Sequence, residues 1–260
     1  MYLRHSSALL FASIWISTPL IAKPIDLSGE WRFALDPSDA GATAAPADWR
    51  FPDKIKLPGC LTAQGFGENP SFRTQWTGEG WRHPQLFKEW QADGNFKFPF
   101  FLQPPKHYVG PAWYQRDFDW TGGRAMLHLE RVHWQSNVWL DGRKIGGCDS
   151  LGTAHDYDLG EVTKGRHTLT LRVDNRLSPV NVGPLSHSVT DHTQGNWNGV
   201  VGKLEIRPLT ENRIEKIEVH PKTDGTLRLV VQGELTEVVH EAGIQVELLD
   251  AALVLFDRHG

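Results

Sequence analysis

The chain has 260 residues, 40% of them hydrophobic and 22% charged, which is the make-up of a folded globular protein and unlike a disordered one. Its 27 basic and 31 acidic residues leave a net charge of −4, which argues against a nucleic-acid binder held by phosphate neutralisation. Counts of 25 Gly, 16 Pro and 11 Trp favour many short elements joined by tight turns, so an all-β fold is expected.

The first 22 residues form a secretory-signal pattern. Arg4 and His5 make a short polar start, Ser7 to Ile21 is uncharged and apolar, and Ala22 suits a cleavage site. The run is short for a membrane span, so an exported protein, periplasmic or extracellular, is expected, with no membrane association after cleavage. The mature chain keeps two cysteines, Cys60 and Cys148. Export would permit a bridge, but we read them as two buried free thiols. With no CxxC pair and no Cys/His cluster, no metal site and no cofactor is expected.

From Gln64 to Gly110 the chain shows little alternation and many aromatics, including Phe66, Trp76, Trp81, Phe87, Trp90 and Tyr108. Such an insertion is functional or packed, since its aromatic content argues against disorder. Most of these rings are expected to pack onto the body of the protein. Trp76 and Trp81 are the candidates for a sugar-stacking face.

Strand signals follow. Ala125 to Leu129, His167 to Asp174 and Lys203 to Arg207 each alternate apolar and polar residues with the period of a half-buried strand. Val138-Trp139-Leu140, Asp141-Gly142 and Arg143-Lys144-Ile145 predict a hairpin, because Asp-Gly supplies the two positive-φ positions of a type I′ turn. Helical periodicity is hard to find, and strands about every 8–12 residues predict an antiparallel sandwich. Aromatic residues mark a boundary: 23 of 27 lie between 24 and 208, and only Phe256 lies beyond. Residues 209–260 hold three or four further strand patterns, about half of an immunoglobulin-like sandwich.

Chemical motifs are few. No phosphate-binding glycine loop, dinucleotide turn, nucleophile elbow or zinc-protease pair is present. The pairs Asp117/Asp119 and Asp156/Asp158 share a strand face, but solvated edge positions explain them better than glycosidase carboxylates do. His187 and His192 flank Asp191 and are read as loop histidines, not metal ligands. The densest polar cluster runs from His187 to Gly199, just before a predicted strand. It joins amide, hydroxyl and imidazole groups to one Trp, the chemistry that reads sugar hydroxyls. Its candidate sugar-binding residues are Asp191, His192, Gln194, Asn196, Trp197 and Asn198, with self-capping of a polar loop as the alternative.

Six stretches together carry a resemblance. They are Leu27-Ser28-Gly29-Glu30-Trp31-Arg32-Phe33, Leu57-Pro58-Gly59-Cys60, Ala112-Trp113-Tyr114-Gln115-Arg116, Val138-Trp139-Leu140-Asp141-Gly142, Leu171-Arg172-Val173-Asp174-Asn175 and Gly195-Asn196-Trp197-Asn198-Gly199-Val200-Val201-Gly202. In this order they resemble the N-terminal part of glycoside hydrolase family 2, the β-galactosidase and β-glucuronidase family. The resemblance implies a jelly-roll sugar-binding domain over 23–208 and the start of an immunoglobulin-like domain over 209–260. It also implies a β-linked glycan as partner. In the family both catalytic glutamates lie on a following βα barrel, which these 260 residues do not encode, so no catalytic residue is assigned and the chain is expected to be inactive alone. The barrel domain would then be a further partner, and a stand-alone secreted carbohydrate-binding module is the alternative. Several family members place a sugar-contacting Asp six residues before the Gly that corresponds to Gly199. Thr193 stands there, so either Asp191 or Gln194 substitutes or the sugar is read differently.

Overall fold

A computed structural model describes residues 23–42, 49–71, 73–77, 105–176, 191, 195–209, 213–223 and 226–234. The leader pattern of residues 1–22 lies outside them. Among the described residues there are thirteen strands and two short 3₁₀ turns, and no helix is long and apolar enough to cross a membrane.

The strands are β1 (Ile25–Asp26), β2 (Gly29–Leu35), β3 (Asp53–Leu57), β4 (Gly59–Cys60), β5 (Pro111–Trp120), β6 (Gly123–His133), β7 (Gln135–Leu140), β8 (Arg143–Cys148), β9 (His155–Val162), β10 (Gly165–Asp174), β11 (Gly199–Pro208), β12 (Arg213–Pro221) and β13 (Leu227–Glu234). Their pairing is antiparallel throughout. One sheet of six runs β3-β2-β5-β10-β7-β8, and a sheet of five runs β1-β11-β6-β9 with β4 on β11. Together they make an all-β sandwich of the jelly-roll kind.

The alternation expected of the sequence places the core. Trp31, Phe33, Tyr114, Phe118, Leu169 and Leu171 of the larger sheet meet Leu127, Leu129, Tyr157, Leu159, Leu204 and Ile206 of the smaller one. Each fully buried large apolar side chain contributes roughly 1.5–3 kcal/mol relative to exposure. Asp141 and Gly142 adopt φ of 51° and 80°, the turn expected between β7 and β8. Asp141 also accepts the Thr168 N–H at 2.7 Å, which ties that turn to β10.

The outward face of the six-stranded sheet is capped at one end. Asp36, just after β2, accepts N–H groups from Ala40 at 2.8 Å and Gly41 at 2.9 Å, and the Trp113 indole at 3.0 Å. This tight turn buries Trp113 completely, although Trp113 points away from the core occupied by its neighbour Tyr114. Cys60 and Cys148 are both free, as expected, but half-buried rather than buried. Strands β12 and β13 form a third sheet of two, with Ile217 and Val219 exposed.

Candidate functional site

Three asparagines join the loops at one end of the sandwich. Asn198, fully buried, enters β11. Its amide donates to the carbonyls of Gly110 and Val173, both at 3.0 Å, and its oxygen accepts the Tyr114 hydroxyl at 2.8 Å. Burial holds the Tyr114 phenol well above its ordinary pKa, so it stays a neutral donor. Asn175, at the end of β10, donates to Tyr108 O and accepts the Gly110 N–H, both at 2.9 Å. Asn196 donates to Asn175 O at 2.8 Å and to Thr77 Oγ1 at 3.2 Å.

Asn196 Oδ1 stands 3.0 Å from His133 Nε2. Because the Asn196 amide nitrogen faces a carbonyl, Oδ1 must be the acceptor, and His133 carries its proton on Nε2. Burial lowers the His133 pKa to about 4, against the opposing pull of the Asn196 bond and the Asp191 charge, so the ring is neutral near pH 7. Trp197 stacks on it with ring centres 5.0 Å apart and 19° between planes.

Asp191 is the other knot. Its side chain is wholly shielded, and it accepts the backbone N–H of Thr77 at 2.8 Å and of Asn196 at 2.6 Å. His107 Nε2 lies 3.4 Å from its Oδ2. Asp191 therefore joins the 64–110 insertion to the loop before β11. Trp76 packs on His107 at 4.7 Å between centroids and is only 4% exposed. Phe66 likewise packs on Phe33, at 4.6 Å.

The structure brings Asp191, Asn196, Trp197 and Asn198 together at this joint. His192, Gln194 and Trp81 lie outside the described residues. Asp191, Asn196 and Asn198 spend their polar atoms on protein groups, and Trp76 turns inward, so none of these four presents a free group to solvent. Trp197 is half-buried. Sequence reasoning missed His107, His133, Asn175 and Thr77, which complete the joint. The period-2 pattern of β6 ends at Leu129, with Glu130 and Arg131 both exposed and Val132 and His133 both buried, so it gave no signal for His133.

Three of the four paired aspartates are engaged elsewhere. Asp117 binds Arg32 at 2.6 Å and Arg166 at 3.0 Å, while Asp156 contacts His128 at 2.6 Å and Asp158 binds Arg124 at 2.7 Å. Among the described residues no group of three His, Cys, Asp or Glu is placed to hold a metal; His187 and His192 are not among them.

The fold and the joint define a two-sheet β-sandwich whose long connections are locked at one end. No family profile matches the chain. The β-galactosidase large subunit of Leuconostoc lactis is 23% identical over 250 residues, covering 90% of this chain and 36% of that protein. Among solved structures, the Ruminococcus gnavus β-glucuronidase in complex with uronic deoxynojirimycin matches 84% of this chain and 35% of its own length, with TM-score 0.54 and 16% identity. A β-glucuronidase of an uncultured Clostridium species matches 87% and 36%, with TM-score 0.53 and 17% identity. The chain is thus similar to the N-terminal region of glycoside hydrolase family 2, and it spans about a third of the length of the relatives it matches.

Proposed function

We propose that this chain is the sugar-binding, non-catalytic portion of an exported family 2-like glycoside hydrolase acting on β-linked glycans. The observation that carries the proposal is the match of 90% of this chain to 36% of a β-galactosidase subunit, on a sandwich fold shared with β-glucuronidases. Retaining hydrolysis needs two carboxyl groups about 5–5.5 Å apart across one glycosidic bond. Of the acidic pairs, Asp117, Asp156 and Asp158 are instead bound to Arg32, Arg166, His128 and Arg124. Export is supported by the leader pattern of residues 1–22.

In this reading the loop before β11 shows the half-buried Trp197 to the sugar, while Asp191, Asn196 and Asn198 hold the loop in shape. A boundary near Pro208 is supported by the separate pairing of β12 with β13. Residues 209–260 then begin an immunoglobulin-like domain.

The test is hydrolysis by the purified chain. No turnover of aryl β-galactosides or β-glucuronides is expected beyond that of a mock preparation. Turnover that follows the protein peak through repurification would overturn the non-catalytic assignment.

A further inference from the structure

We propose that His167 is a charged clasp between the β7–β8 turn and the β9–β10 connection, holding the two together when protonated and releasing them as pH rises. The inference does not depend on the carbohydrate reading.

The partners of the ring set its protonation. His167 lies near the start of β10, with its side chain 9% exposed. Its Nδ1 stands 2.7 Å from Asp141 Oδ2, in the β7–β8 turn, and its Nε2 stands 2.8 Å from the Thr163 carbonyl, in the β9–β10 connection. The other Asp141 oxygen accepts the Thr168 N–H at 2.7 Å. Both Asp141 oxygens therefore face N–H donors, as a carboxylate requires. A carboxylate and a carbonyl only accept, and a neutral imidazole has one N–H to give. Satisfying both contacts takes a proton on each nitrogen, so the ring is an imidazolium.

His155 shows the contrasting case. It too is bonded at both nitrogens, to Ser136 Oγ at 2.6 Å and to the Ser150 carbonyl at 2.8 Å. A hydroxyl can donate, so a neutral ring with its proton on Nε2 satisfies both. The pKa directions agree with the geometry. Burial lowers that of His155. Burial acts the same way on His167, but the bonds to Asp141 and Thr163 outweigh it and leave the pKa raised.

The other charged groups nearby are turned away or engaged. From β5 the ring meets Phe118, with centres 5.7 Å apart, while Asp117 and Asp119 alternate onto the opposite face, where Asp117 holds Arg32 and Arg166. Arg143, after the turn, donates to the Leu159 carbonyl at 3.2 Å, and Arg124 pairs with Asp158 at 2.7 Å. Lys164 and Glu161 are exposed. Among the described residues, Asp141 is thus the charged group bonded to the ring.

Release follows from the same geometry. An N–H bond to a carboxylate is charge-assisted and the stronger of the two, so a deprotonating ring keeps its Nδ1 proton and loses the one on Nε2 to solvent. The Nε2 lone pair then faces the Thr163 carbonyl, acceptor against acceptor, and the Thr163-Lys164 connection comes free. The stability this clasp supplies is present below the ordinary imidazole pKa and is lost as pH rises through that of His167. The joint at Asn175 adjoins the far end of β10, so the clasp acts at the opposite end of the sandwich.

The experiment follows the His167 ring nitrogens and the backbone amides of the full chain by NMR from about pH 5 to about pH 9. Both nitrogens are expected to be protonated at pH 6 and to titrate with a midpoint above the ordinary value of about 6.5. The Thr163 and Lys164 amide resonances should move with the same midpoint. Asp141→Asn keeps an oxygen for the Thr168 N–H and removes the charge, and is expected to move the midpoint down by at least about one pH unit. A midpoint at or below about 6.5, or one that Asp141→Asn leaves unchanged, would overturn the charged clasp. Thr163 and Lys164 amides that do not follow the ring would overturn the release. Should the variant fail to fold, the titration of the unsubstituted chain decides the matter alone.

Discussion

The joint at Asp191–Asn198 and the outward face around Gln115 draw on the same side-chain chemistry and differ in what is left unused. Asn198 has three of its polar positions filled by Gly110, Val173 and Tyr114. Among the described residues the Gln115 side chain makes one bond, to Thr170, and its oxygen has no partner. Trp197 lies flat on a neutral histidine, whereas Trp139 packs on Trp113 with Lys144 Nζ over its ring. Buried polar groups must be satisfied because an unpaired one costs about 1–3 kcal/mol, so a saturated polar cluster signals structure first. Polar groups that are rigid and still unsaturated are the ones available to a ligand.

The comparison is broken most severely at the joint. Gly199 sits at φ 150°, and a Cβ there would come within 2.2 Å of the Gly59 carbonyl. Gly199→Ala is expected to cost at least about 3 kcal/mol, the upper end of ordinary point-mutant effects, measured by urea denaturation. Asn198→Ala leaves two buried carbonyls and a buried phenol without partners, and a loss of about 3 kcal/mol is expected in the same assay.

Acid probes the joint more gently. His133 titrates at about 4 when folded against an ordinary 6.5, so between those values the unfolded chain binds more protons. Stability is therefore full above about pH 6.5 and falls as pH drops toward 4, by up to ~3 kcal/mol. His155, lowered mainly by burial, acts in the same direction. In His167, burial is outweighed by the bonds to Asp141 and Thr163, and its raised pKa acts in the opposite direction. His133→Gln is expected to flatten the pH 4–6.5 limb of a melting-temperature series. An unchanged slope would assign that limb to other groups.

The smallest effect belongs to the open face. Gln115→Leu should change stability by no more than about 0.5 kcal/mol, because only one side-chain bond at a half-exposed position is lost. A large destabilisation would put Gln115 in the same structural class as Asn198.

Much of the fold was legible where one sheet face is wet. The alternations at 125–129, 167–174 and 203–207 fall within β6, β10 and β11, and Asp141-Gly142 marks its turn. Strand β5 was not legible from period, because Trp113 and Tyr114 are adjacent and both fully buried. The Asp36 turn covers the outer face there, and two dry faces erase alternation. The polar loop was legible as a cluster but not as a joint. Composition counts donors and acceptors, while their partners here lie 21 to 119 residues away in sequence. His133 and His107 escaped notice for the same reason, since their roles come from Asn196 and Asp191 across the fold.

The contrast between a saturated joint and an unsaturated face is tested most directly by side-chain amide hydrogen exchange, followed by NMR on the full chain. Buried, bonded groups exchange only through opening of the structure. The amides of Asn175, Asn196 and Asn198 should exchange at least about a hundredfold more slowly than that of Gln115, and saccharide should leave them unchanged. Equal rates at Asn198 and Gln115, or saccharide-induced protection at Asn196 and Asn198, would contradict the account and make these asparagines sugar contacts rather than supports of the loop.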